Sequence, residues 1–264
     1  MTANVRRSCV FCGSPADSRE HVFAKRLCKR ANVDHLPVIS EFYAEGDGTV
    51  ARPPHLLDGV KVRHVCTGCN NGWMNDLEAW FEKRLGCLIE PNWPNLALPM
   101  IEALKEERAQ LAHWLMKTAV MFNLATLQND RVTFDPAVTG KIKDGILPTH
   151  CWVDLAYSKL STVGGAISKC FRVVNGKTNN RSQIYSKGLG FRFTIQFNHL
   201  LLRIVRMPES NVTYDFQHTD GAVPVRLYPE PWPDIPVKYD YEDIIQFDNA
   251  VVLTTSRNCK GNIP

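Results

Sequence analysis

Cys66-Thr67-Gly68-Cys69-Asn70-Asn71-Gly72-Trp73 is the stretch from which the fold reads outward. Two cysteines separated by two residues form a knuckle whose sulfurs can grip one side of a tetrahedral zinc ion. A second pair, Cys9-Val10-Phe11-Cys12, lies upstream and can supply the other two thiolates. One CxxC is a weak signal, whereas two in one small segment, each with a neighbouring glycine, form a metal-site pattern. Gly13 and Gly68 are expected to relax the backbone where each knuckle turns.

The residues around the knuckles carry the chemistry. Between them stands Ser18-Arg19-Glu20-His21-Val22, a carboxylate directly before a histidine. Behind Asn70 runs an amphipathic helical pattern of Trp73, Leu77, Trp80, Phe81, Leu85 and Leu88. Asn70 and Asn71 are expected to cap that helix, with Gly72 opening it. A zinc staple would then hold a helix N-terminus close to Glu20-His21.

This set of Cys9, Cys12, Glu20-His21, Cys66, Cys69 and Asn70 resembles the HNH (ββα-metal) endonuclease family. The likeness is to its zinc-knuckle branch, which includes phage junction-resolving enzymes, and it covers about the first ninety residues. The resemblance implies that Glu20 and Asn70 bind a catalytic Mg²⁺ or Mn²⁺ and that His21 is the general base. The four cysteines would hold a structural Zn²⁺. Glu20 stands where the family more often has aspartate, so its carboxylate reaches one methylene further.

The chemistry of the residues agrees with that implication. Phosphodiester hydrolysis needs a nucleophilic water, neutralised phosphate charge and help for the leaving oxygen. An imidazole titrating near neutrality can take the proton of the water. Mg²⁺ prefers oxygen ligands and keeps several waters, so one carboxylate and one amide oxygen suffice. Soft thiolates select zinc elsewhere, so two metals with separate tasks are expected.

Composition sets the outer bounds. The 264 residues allow one large domain or two modest ones, and 44% hydrophobic residues is ordinary for a globular chain. No run approaches the roughly 20 apolar residues that span a bilayer. Met1 to Arg7 is short and polar and leads straight into a knuckle, so no signal peptide is expected. Nine cysteines, four assigned to zinc and five scattered, suit reduced thiols and a cytoplasmic location. The net charge of +4 is unevenly placed. Leu155 to Pro208 contains nine basic and no acidic residues, and without it the chain would be −5. Glu230 to Asp248 has six acidic residues and one lysine, and is expected to be surface. Such asymmetry suggests a polyanion-binding face.

In chain order, the pattern predicts a strand through Arg19 to Phe23, a helix over Ala24 to Ala31, and a hairpin of Val38 to Ala44 with Thr49 to Arg52. A strand from Val60 to Val65 should deliver the second knuckle. The prolines of Glu90 to Asn95 divide the chain into an HNH-type zinc-knuckle domain, 1–95, and an α+β domain, 96–264. The second domain should open with a long helix from about Met100 to Leu127 and a shorter one from Pro136 to Ile146. Within the long helix, His113 is read as a structural or surface histidine rather than a ligand. Antiparallel strands should follow from Cys151, with Phe191 to Asn198 alternating. Arg192, Thr194 and Gln196 would then project from one face, as a nucleic-acid platform or as the wet side of the sheet.

The fold class expected is therefore α+β, and the function that of a metal-dependent DNA endonuclease of phage or bacterial-defence type. Phosphate neutralisation would fall to Lys25, Arg26, Lys61, Arg63, Arg192 and Arg203. DNA is the expected partner, no membrane is, and a homodimer is left open. The competing reading is a zinc-knuckle adaptor that binds nucleic acid or protein without catalysis. Such an adaptor has no need of a carboxylate, an imidazole and an amide at one point.

Overall fold

The computed structural model describes residues 7–34, 37–38, 41–44, 48–51, 55–56, 59–91, 104–106, 107–126, 134, 136–160, 165–174, 177–179, 190–206, 212–216, 224–229 and 240–255. The chain is a mixed helix-and-sheet, α+β fold. Residues 92–95 of the expected division, and Arg181, Lys187, Trp232 and Tyr239, lie outside the described residues.

In the first third, strand β1 (Glu20–His21) runs antiparallel to β6 (Lys61–Val62), with Glu20 opposite Val62 and His21 opposite Lys61. Helix α1 (Lys25–Arg30) follows β1 and buries Leu27 and Cys28. Short pairing strands lie between: β2 (Pro37–Val38) pairs with β5 (His55–Leu56), and β3 (Glu41–Ala44) with β4 (Gly48–Ala51) as the expected hairpin. A helical turn α2 (Thr67–Cys69) runs through a wide turn with a kink at Gly72 into α3 (Asn75–Leu85). Helix α3 buries Leu77, Phe81 and Leu85. Arg30 ties α1 to the end of α3 by donating to the Glu82 carbonyl at 3.0 Å and pairing with Glu90 at 2.8 Å. Gly86 makes room for it, since a Cβ there would come 2.2 Å from the guanidinium.

Helix α4 (Arg108–Thr126) is apolar on nearly every side, as expected of a helix enclosed by protein rather than water. On one side Trp114 stacks on Phe81 of α3 at 3.8 Å. On the other, α4 lies against a seven-stranded sheet. That sheet comprises β7 (Cys151–Ser158), β8 (Gly165–Val174), β9 (Lys177–Asn179), β10 (Gly190–Phe197), β11 (Leu200–Arg206), β13 (Val225–Tyr228) and β14 (Asp240–Tyr241). Its order is β13-β7-β11-β10-β8-β9, with β14 parallel to the end of β7 and the other pairs antiparallel. Helix α5 (Pro136–Lys143) packs on α4, while β12 (Val212–Phe216) pairs with β15 (Val251–Thr255) apart from the sheet.

Buried residues from Cys9 through Leu227 form one continuous cluster. Phe23, just after β1, packs on Phe122 of α4 and edge-on to Phe197 of β10 at 6.0 Å. Each such large apolar side chain contributes about 1.5–3 kcal/mol on burial. Asn198 adds a polar tie. With φ +49 it turns the β10–β11 hairpin, and its amide donates to the carbonyls of Ala31 at 2.7 Å and Ile89 at 2.6 Å.

The alternation in β10 is as read, but its polar face is neither wet nor open. Phe191, Phe193, Ile195 and Phe197 face the α4 core, while Thr194 and Gln196 are fully buried on the other side. Helix α6 (Ile244–Asn249) packs on β10 and β11 over that second face, with its own small core of Ala156, Leu201, Tyr241, Ile244, Phe247 and Ala250. Asp248 of α6, expected at the surface, is 1% exposed. It accepts from Thr194 Oγ1 at 2.7 Å and pairs with Arg192 at 2.7 Å. Beside it Asp154 of β7 sits between its cross-strand neighbours Arg203 and Arg226, at 3.3 and 2.9 Å. Arg203 also donates to the Phe247 carbonyl at 2.6 Å and is fully buried.

Two expectations are thereby corrected. Arg203 cannot meet a phosphate, because its guanidinium is enclosed and committed to Asp154 and Phe247. Arg192 is committed to Asp248 within the fold. The acid-free segment and the acidic tail face each other in part: besides Arg192 and Asp248, Lys159 pairs with Glu242 at 2.6 Å. That share of the charge asymmetry is used inside the molecule.

Candidate metal centre and adjoining polar site

Two backbone turns build the sulfur cluster. In the first, Cys9 N–H donates to the Ser14 carbonyl at 2.6 Å and Gly13 N–H to the Cys9 carbonyl at 2.8 Å. Gly13 has φ +76, which a side chain would strain. In the second, Cys66 is the N-cap of α2, its Sγ accepting from Cys69 N–H at 3.4 Å. Asn70 and Asn71 do not cap the following helix as expected: its N-cap is Met74, without a side-chain cap. Gly68 lies in a helical turn that needs no special backbone freedom. The knuckles are joined by Val10 N–H to the His64 carbonyl at 2.9 Å and by Asp17, which accepts from Thr67 N–H at 2.7 Å.

The Sγ atoms of Cys9, Cys12, Cys66 and Cys69 all lie within 4.8 Å of one another and could hold a metal ion. Cys12 and Cys66 are 3.5 Å apart, close to the S···S edge of about 3.8 Å that follows from Zn–S bonds of about 2.3 Å. Four soft donors at tetrahedral spacing fit zinc. Burial pushes the Cys9 and Cys69 thiols up, whereas the Ser14 hydroxyl beside Cys12 brings that thiol down to about 6. Aromatic rings close one side. Trp73 meets Phe11 edge-on at 5.1 Å and stacks flat on His113 of α4 at 5.3 Å. His113 is not among the metal-cluster residues, in keeping with its structural reading. From α5, Thr139 Oγ1 donates to the Val10 carbonyl at 2.6 Å.

The second knuckle also delivers Asn70 to Glu20. The Asn70 side chain donates to Ser18 Oγ at 3.4 Å and lies close enough to the Glu20 carboxylate to lower its pKa. Burial is the main cause that raises the Glu20 carboxyl, to about 7. The Lys117 ammonium, the His21 backbone N–H and the Asn70 amide pull it down, and the Glu78 carboxylate pushes it up. His21 follows Glu20 on β1 and is half-buried.

Sequence reading missed Glu78 and Lys117. Glu78 of α3 is 4% exposed and Lys117 of α4 is fully buried, and they form an ion pair through Glu78 Oε1. Their signal was present. Met74, Leu77, Phe81 and Leu85 define the buried stripe of α3, and Glu78 falls on it. Lys117 likewise falls one turn beyond Trp114 in an otherwise apolar run.

The remaining expected DNA contacts divide. Lys61 and Arg63 are exposed at β6, and Lys25 is exposed on α1. Arg26 pairs with Glu82 at 2.9 Å and so braces α1 against α3. Among the described residues, no helix is long and apolar enough to cross a membrane. Compared with known protein families, curated proteins and solved structures, the chain finds no match.

Proposed function

We propose that this protein is a metal-dependent endonuclease of HNH type that hydrolyses DNA phosphodiester bonds. The observation that carries the reading is the four-sulfur cluster, with Asn70 directly after its last cysteine tied to Ser18 and close to Glu20. The cluster, loaded with zinc, fixes the β1–β6 ribbon against the start of the helical segment in a ββα-metal arrangement. A carboxylate and an amide are hard oxygen donors, as Mg²⁺ or Mn²⁺ requires. Glu20 and Asn70 are the residues that would hold that ion, which supplies charge neutralisation to the phosphate when bound.

His21 acts as the base, taking the proton of the attacking water at an imidazole nitrogen. Lys61 and Arg63 on the adjoining strand, with Lys25 on α1, attract the DNA backbone from the solvent side. The test is incubation of plasmid, linear and branched DNA with the zinc-loaded protein and Mg²⁺ or Mn²⁺, before and after chelation. Chelator-sensitive strand cleavage is the expected result, and intact DNA under every condition would reject the proposal.

A further inference from the structure

Glu78 of α3 and Lys117 of α4 form a buried ion pair whose charges are felt at Glu20 on β1. Glu78 is 4% exposed, and Lys117 binds only its Oε1. Its Oε2 is buried and has no hydrogen-bond partner among the described residues. Leaving such an oxygen unmatched in a low-dielectric interior costs several kcal/mol, by order of magnitude. Glu78 and Glu20 are also near enough to repel one another.

We infer that Glu78 is a third protein oxygen ligand of the divalent-cation site, and that Lys117 is the positioning residue that aims it. The inference rests on the cation site proposed at Glu20 and Asn70, and it brings α4 into that site. A hard cation suits the unmatched Glu78 oxygen, because it accepts several oxygen ligands at once. Lys117 holds Oε1 and leaves Oε2 to face the cation.

The test uses full-length, zinc-loaded protein and Mn²⁺ alone as probe, with binding followed by electron paramagnetic resonance of free Mn²⁺. Wild type should bind one Mn²⁺ beyond its zinc. Glu78→Gln should weaken that binding at least tenfold with zinc content unchanged. Because a single change in a buried pair can unfold a protein, the double variant Glu78→Gln/Lys117→Met is the second arm. It removes both charges together and should fold, yet bind Mn²⁺ as poorly as Glu78→Gln. Wild-type affinity in either folded variant, or no Mn²⁺ site in wild type, would overturn the inference. Plasmid cleavage in the same samples separates the two ideas. Mn²⁺ bound without cleavage by wild type rejects the nuclease and keeps the ligand, whereas cleavage with unchanged Mn²⁺ affinity in Glu78→Gln rejects the ligand alone.

Discussion

Among the described residues, one cluster of buried charge lies under α6 and another beside the cysteines, and the two are built differently. Under α6 each carboxylate oxygen has a donor. Asp154 takes Arg226 on one oxygen and Arg203 on the other, and Asp248 takes Thr194 and Arg192. Beside the cysteines, Glu78 has one oxygen engaged and one idle, next to a second acid. In the first cluster both oxygens of each acid are matched, and such pairing specifies how a helix seats on a sheet. In the second, one oxygen of a buried acid is left over, and that is where the inferred cation would bind.

The largest expected effect strikes the cysteine side. Cys66→Ala or Cys9→Ala should abolish zinc retention and unfold the first third of the chain, because structural zinc contributes roughly 10–16 kcal/mol in small zinc peptides. Metal content and circular dichroism on the purified variants check this. A variant that keeps its melting transition would show that the sulfurs are not a metal staple.

Next come the two charge clusters themselves. Asp154→Ala and Lys117→Ala each strand a buried partner and should cost about 3–5 kcal/mol in denaturant unfolding. In activity the two clusters should part. Asp154→Asn, wherever it folds, should leave DNA cleavage per folded molecule unchanged, whereas Glu78→Gln should depress it. Equal behaviour of the two would erase the distinction between a closed cluster and an open one.

The residues of these clusters show what sequence could reveal. The cysteine quartet was legible because metal geometry dictates CxxC spacing locally. The strand alternation of Phe191 to Phe197 was equally plain. Which face of that strand meets water was not, because the answer depends on α6, some fifty residues downstream. The same is true of Glu78 and Lys117, 39 positions apart. Each breaks an apolar helical stripe, but only the packing of α3 on α4 shows that they answer one another. Arg203 looked like a phosphate contact because its partner Asp154 lies just outside the acid-free stretch.

A smaller effect concerns the tie between the two halves of the chain. Asn198→Ala strands the Ala31 and Ile89 carbonyls and places a β-carbon residue without a local hydrogen bond at positive φ. It should cost about 2–3 kcal/mol by chemical denaturation. No change would mean that the tie is immaterial to stability.

The smallest effect is a pH dependence at the aromatic side of the cysteines. Burial holds His113 below the ordinary imidazole value of 6.5, so the folded state favours its neutral form. Stability from this group is therefore present above that value and is lost as pH falls through it toward the folded pKa. His113→Gln should flatten the loss of stability as pH falls below about 6.5, read from denaturant unfolding at several pH values. Parallel curves for wild type and variant would contradict this.

The most direct test of the account compares plasmid cleavage by wild type and His21→Ala in Mg²⁺, with zinc content and melting temperature matched. The account predicts that His21→Ala keeps both physical properties and loses cleavage by at least about 100-fold, as removal of a general base should do. Cleavage by His21→Ala at the wild-type rate would contradict it.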